Sequence, residues 1–122
     1  MKNLLLVIAL ISFNVYSQDS WQFSADKQKH FIAGAVPSLV ASSVISNINQ
    51  DEPKYLKGFI IGASVGSGLN LAKEGFDLLG FGTPSYQDLA YGVLGSLVGS
   101  AVGVGLASLV NVGYKRKNRL KL

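Results

Sequence analysis

The sequence predicts an all-α protein: a small membrane helical bundle of about three spanning helices with glycine-ladder seams, after an N-terminal signal segment. Three observations predict it. Gly58, Gly62 and Gly66 recur every four residues, and so do Gly95, Gly99 and Gly103. Three long stretches carry no charge. Charged residues make up 15% of the 122-residue chain, against roughly 25% in soluble domains.

On a helix, a four-residue step returns to nearly the same face. Glycine in a water-exposed helix is about 1 kcal/mol worse than alanine. Six of them on helical faces therefore answer to something other than water. In lipid, helices associate through packing and not through the hydrophobic effect, and glycine lets two backbones meet.

The first element reads as an export signal. Lys2 supplies a positive start, Leu4 to Ile11 an apolar run, and Val15, Tyr16 and Ser17 a cleavage region. The run is short for a spanning helix. Residues 1–17 are thus expected to be a signal peptide, or else an N-terminal anchor. Residues 18–114 are the expected bundle. Its first helix starts near Asp26 and is uncharged for 18 residues from Phe31 to Ile48, with a bend at Pro37. A polar turn from Asn47 to Pro53 follows. The second helix is uncharged for 15 residues from Gly58 to Ala72. That is short for a span, but Lys57 and Lys73 are placed at its ends to snorkel. Gly80 to Pro84 make the next turn. The third helix is uncharged for 26 residues from Leu89 to Tyr114, long enough to cross with tilt. The soluble alternative is a periplasmic bundle with glycines at tight crossings. The third helix argues against it, because no stripe of charge marks a wet face.

Residues 115–122 form a basic tail. Lys115, Arg116, Lys117, Arg119 and Lys121 account for the net charge of +4, so the basic pI describes a tail and not a nucleic-acid-binding face. If residues 18–25 emerge outside, three crossings put this tail in the cytoplasm, as the positive-inside rule requires. The expected location is the bacterial inner membrane, with the lipid bilayer as the first partner. Aromatic residues gather at both expected rims: Trp21, Phe23, Phe31, Phe76, Phe81, Tyr86 and Tyr91 outside, Tyr55, Phe59 and Tyr114 inside.

Most other charges fall at the outer end. The first helix opens with Asp26, Lys27, Lys29 and His30. The second closes with Asn70, Lys73, Glu74 and Asp77, and the third opens with Asp88. Alternating helix direction brings these groups together, and several continue the glycine faces. Asp26 and Asp88 also have simpler roles. Asp26 suits a helix N-terminus, and Ser85-x-x-Asp88 matches a capping box with Asp in place of Glu. Lys27 and Lys29 suit snorkelling anchors. His30 lies one turn into an apolar helix, where a histidine faces the bundle interior and has a partner. Glu74 and Asp77 lie at a helix C-terminus, where the dipole repels an anion. They need a cation: Lys27, His30 or a bound metal. One imidazole with carboxylates suits a divalent ion, with His30, Glu74 and Asp77 as candidate ligands. No motif demands a cofactor.

The blocks Asp26-Lys27-x-x-His30-Phe31, Lys73-Glu74-x-x-Asp77 and Ser85-x-x-Asp88, with Gly95 and Gly99 after them, resemble the YfiM-type family of small bacterial envelope proteins, which has no established activity. Their order is similar, more distantly, to the VanZ-like membrane proteins, with an Asp-Lys-x-x-His opening, a Glu on a middle helix and an Asp before a glycine seam. The resemblance covers residues 26–103. Two features depart from it. Gly92 stands where those families often carry Asp or Asn. The lipoprotein cysteine of many YfiM-type proteins has no counterpart, since the chain has no cysteine, which implies anchoring by its own helices.

The leading functional expectation is non-enzymatic: an envelope protein whose cluster of Asp26, Lys27, His30, Lys73, Glu74, Asp77 and Asp88 fixes the fold or binds a lipid headgroup or envelope protein. The glycine seams would also serve a homo-oligomer. The enzymatic alternative is a membrane hydrolase or transferase acting on a lipid-linked phosphate or cell-wall precursor, with His30, Glu74, Asp77 and Asp88 as acid, base or metal ligands. A pore built on the seams is disfavoured because the polar groups sit at one end. No Gly-x-Ser-x-Gly, His-Glu-x-x-His or phosphate-loop motif occurs. A reporter fused after Leu122 is expected to read cytoplasmic; a periplasmic readout overturns the orientation.

Overall fold

The computed structural model describes residues 23–82 and 84–121. The signal segment expected at residues 1–17, and Trp21, lie outside the described residues. Among the described residues three long helices make the fold: α1 (Ala25–Ser46), α2 (Tyr55–Phe76) and α3 (Tyr86–Leu120). Among the described residues there is no strand.

Helix ends follow local chemistry. Ser24 takes an extended conformation ahead of α1, with Asp26 in the first turn, where an anion complements the dipole. Pro37 sits inside α1 without ending it. After α2 the chain widens into one π-helical turn, Asp77–Phe81, kinked inside at Gly80 with φ 102°. That is the left-handed region that glycine enters without a Cβ penalty. α3 then starts from Ser85, whose hydroxyl accepts the Asp88 amide at 3.3 Å.

The three helices pack in a repeating register. A Cβ on Gly58, Gly62 or Gly66 would strike Ser46, Ser42 and Ser38 respectively, so each step of four along α1 meets a step of four back along α2. α2 and α3 are likewise antiparallel: Gly62 lies against Ser100, Gly66 against Ser96, and Gly92 against Asn70. α3 runs alongside α1 in the same direction. The Ser43 hydroxyl donates to the Gly103 carbonyl at 3.0 Å, and Asn47 Nδ2 to the Ala107 carbonyl at 2.8 Å. The interior is thus a stack of layers, one residue per helix. Ser42, Gly62 and Ser100 form one, Ser38, Gly66 and Ser96 the next, and Gly34, Asn70 and Gly92 the one above. One more step of four brings His30, Glu74 and Asp88 to the same end of the stack, all buried.

Close backbone approach explains the small residues. A methyl on Gly95 would overlap the Phe31 carbonyl oxygen, and one on Gly99 the Ala35 carbonyl oxygen. A methyl on Gly103 would meet Ser42 and the Leu39 carbonyl. Gly68, Gly75, Gly105 and Gly113 have open space instead.

Polarity is inverted relative to a soluble domain. Among the described residues the buried hydrophobic ones are Tyr91 and Ala107, while 24 large hydrophobic side chains are exposed. The fully buried side chains are serines: Ser38, Ser42, Ser46, Ser96 and Ser100. Among the described residues one helix, α3, is long and apolar enough to cross a membrane, with a mean hydropathy of 2.0 over its best window.

The two kinds of glycine predict opposite outcomes. Gly99→Ala is expected to destabilise the bundle by about 1–3 kcal/mol, the usual effect of overpacking. Gly105→Ala is expected to stay within about 0.5 kcal/mol, as at an unencumbered surface position. Thermal unfolding of the purified variants checks both.

Candidate functional site

The end of the stack that carries His30 gathers the ionisable residues. α1 delivers Asp26, Lys27, Lys29 and His30 from its first turns. α2 delivers Asn70, Lys73 and Glu74 from its last turns, with Asp77 just beyond. α3 delivers Asp88 from its first turn. All three groups meet because α2 runs opposite to its neighbours.

Asp88 is the centre of the α1–α3 half. The Lys27 ammonium donates to its Oδ1. His30 Nε2 lies 3.4 Å from its Oδ2. All three side chains are nearly buried, at 13% exposure or less. Taking two charges from water costs several kcal/mol each, which only a close partner offsets. Asp88 therefore depends on Lys27, and Lys27 on Asp88.

Glu74 and Lys73 organise the α2 half. Glu74 Oε2 accepts the Ser85 backbone amide at 2.8 Å. In a capping box that amide goes to the acid three residues on, here Asp88. Glu74 substitutes from another helix, which releases the Asp88 carboxylate to Lys27 and His30. The capping motif is therefore half used: Ser85 caps the Asp88 amide, and Asp88 does not reciprocate. Lys73 lies 2.7 Å from Asp77 and 3.3 Å from Glu74. This cation, beside the α2 terminus, compensates both misplaced acids.

The candidate metal ligands regroup. The sequence points to His30, Glu74 and Asp77. In the structure, ligand atoms of Asp26, His30 and Asp88 lie within 4.8 Å of one another. Glu74 is committed to Ser85, and Asp77 projects from the π-helical turn toward Lys73. One nitrogen and two carboxylate oxygens suit a divalent ion such as zinc. Lys27 already neutralises one of those oxygens, so a metal would have to displace its ammonium.

A crevice of about 360 Å³ opens beside this end between α1 and α2, lined by Asp26, Lys29, His30, Ala33, Leu69, Asn70 and Lys73. Asn70 spends its amide group within its own helix, donating to the Gly66 carbonyl at 2.9 Å. Sequence reasoning missed the serine row Ser38, Ser42 and Ser46 and the contact role of Gly34. The signal was available, since they continue His30 at the same four-residue spacing. No family model, curated protein or solved structure matches the chain.

Removing one member of the buried pair has a definite expected effect. Asp88→Ala is expected to cost about 3–5 kcal/mol by stranding Lys27, whereas the double variant Lys27→Met with Asp88→Leu is expected to be nearly neutral. Lys73→Gln, at a side chain 47% exposed, is expected to cost under about 1 kcal/mol. Unfolding midpoints of the purified variants check the order.

Proposed function

We propose that the chain is a small bacterial envelope protein embedded in the inner membrane, and that its ionisable layer is first of all the lock of its fold. The observation that carries this reading is the inverted polarity. Exposing a Val, Leu, Ile or Phe side chain to water forfeits about 1.5–3 kcal/mol relative to burying it. Serine and glycine layers return little of that. In lipid the outer face has no such penalty, and tight packing of small residues becomes the main drive for association. α1 and α2 are 22 residues each, about 33 Å long, against a hydrocarbon core of about 30 Å. All three helices are then spanning segments, and the six ladder glycines are their seams. The polar end faces the periplasm and the basic tail the cytoplasm. The resemblance of the three polar blocks to YfiM-type and VanZ-like proteins agrees with an envelope setting.

In this role the cluster fixes which helix ends meet, and it offers its rim to a lipid headgroup or an envelope partner. A second reading has its own support. The convergence of Asp26, His30 and Asp88 favours a metal-dependent hydrolase or transferase acting on a lipid-linked phosphate.

Carbonate washing of membranes tests the setting: the protein is expected to stay in the pellet, and release into the aqueous fraction overturns the proposal. Metal analysis of detergent-purified protein separates the two roles. The structural role predicts less than about 0.1 divalent ion per chain and reduced folded yield in His30→Ala. A stoichiometric ion that is lost in a well-folded His30→Ala variant selects the enzyme.

A further inference from the structure

The row of residues just outside the buried stack on α1 and α2 has its own logic. Each buried position has a neighbour one residue earlier, and these neighbours face each other across an open crevice. Lys29 and Lys73 line its polar end, together with Ala33 and Leu69. Farther along, Pro37 and Ala41 of α1 and Ile61 and Val65 of α2 line a second, apolar stretch, with Val36 and Val40 on its α1 side. The two stretches continue one another by the same four-residue steps. Small residues at positions 33 and 41, and the ring of Pro37, keep the trough open.

We propose that this crevice holds one phospholipid of the ethanolamine class taken from the host bilayer. This rests on the membrane-embedded reading above. The argument is charge complementarity joined to an apolar track. Lys29 places an ammonium group at the mouth for a phosphate, and Lys73, already paired with Glu74 and Asp77, lies beside it. Asp26, at the same mouth, places a carboxylate for the headgroup ammonium. Among the described residues, neither Asp26 nor Lys29 has an ion-pair partner. The apolar stretch from Val36 to Ile45 rises about 14 Å, close to half of the roughly 30 Å hydrocarbon core. One acyl chain of the outer leaflet fits that length, and its headgroup then falls at Lys29. A soluble phosphate ester would leave the apolar track empty, and a diacylglycerol would leave the charges unmatched.

The test uses the full chain reconstituted in vesicles of equal parts phosphatidylethanolamine, phosphatidylglycerol and diacylglycerol. Lipid retained after transfer to detergent is weighed by native mass spectrometry. The expected result is one phosphatidylethanolamine per chain. Retention is expected to fall about tenfold in Lys29→Gln, the ratio for one lost charge-assisted hydrogen bond, and similarly in Ala41→Phe, which fills the trough. Lys117→Gln, on the tail, is expected to retain lipid normally. Undiminished retention in both crevice variants, or equal retention of diacylglycerol, overturns the proposal. Flotation of the same vesicles separates the two levels: protein that does not float rejects the membrane setting, and protein that floats without retained lipid rejects the crevice alone.

Discussion

Backbone-to-backbone contact at four-residue intervals is the constraint from which the rest of this molecule follows. Where Gly95 meets the Phe31 carbonyl and Gly99 the Ala35 carbonyl, there is no room for a side chain on one partner. Interdigitation can proceed only if the next contact comes a full four residues later. That spacing sets the register between each pair of helices. The register in turn decides that His30, Glu74 and Asp88 share a layer. The polar end is therefore a product of packing far below it, and a shift of one helix by one step would separate Asp88 from Lys27 and His30.

The polar layer acts back on the packing. A stack of serines and glycines has little shape to distinguish one register from the next, since layers such as Ser38, Gly66, Ser96 and Ser42, Gly62, Ser100 are nearly identical. Slippage by four residues would preserve most contacts. It would also pull Asp88 from Lys27 and leave both charges buried without partners. Glu74 adds a second check by binding the Ser85 amide, which ties the end of α2 to the start of α3.

The helices themselves were legible because charge-free stretches bounded by Lys, Asp and Pro leave few other readings. The gathering of polar groups at one end was legible too, since it needs only alternating helix direction. The pairing within that end was not. Whether His30 meets Glu74, Asp77 or Asp88 depends on helix rotation of a few tens of degrees, and sequence spacing is silent about rotation between helices. The Ser85-x-x-Asp88 motif was legible only in half, for a related reason: Ser85 does cap the Asp88 amide, but Asp88 does not reciprocate. A capping box is judged locally, and here a side chain from another helix took the place of the local acid. The serine row was overlooked because serine is neutral in most patterns, whereas glycine stands out. Away from the crevice between α1 and α2, the outer positions are mostly large and apolar.

That last point bears on how such a chain ages. Through the middle of the bundle, at one position in four on α1 and α2 and two in four on α3, volume is restricted to a hydrogen atom or a hydroxymethyl group. Elsewhere on the outer face, away from the crevice, valine, leucine and isoleucine are exposed, so exchanges among them disturb little packing. Lineages descending from one ancestor can therefore exchange most of their letters while every backbone crossing stays in place. Kinship among them would survive as a rhythm of small residues long after pairwise identity had faded.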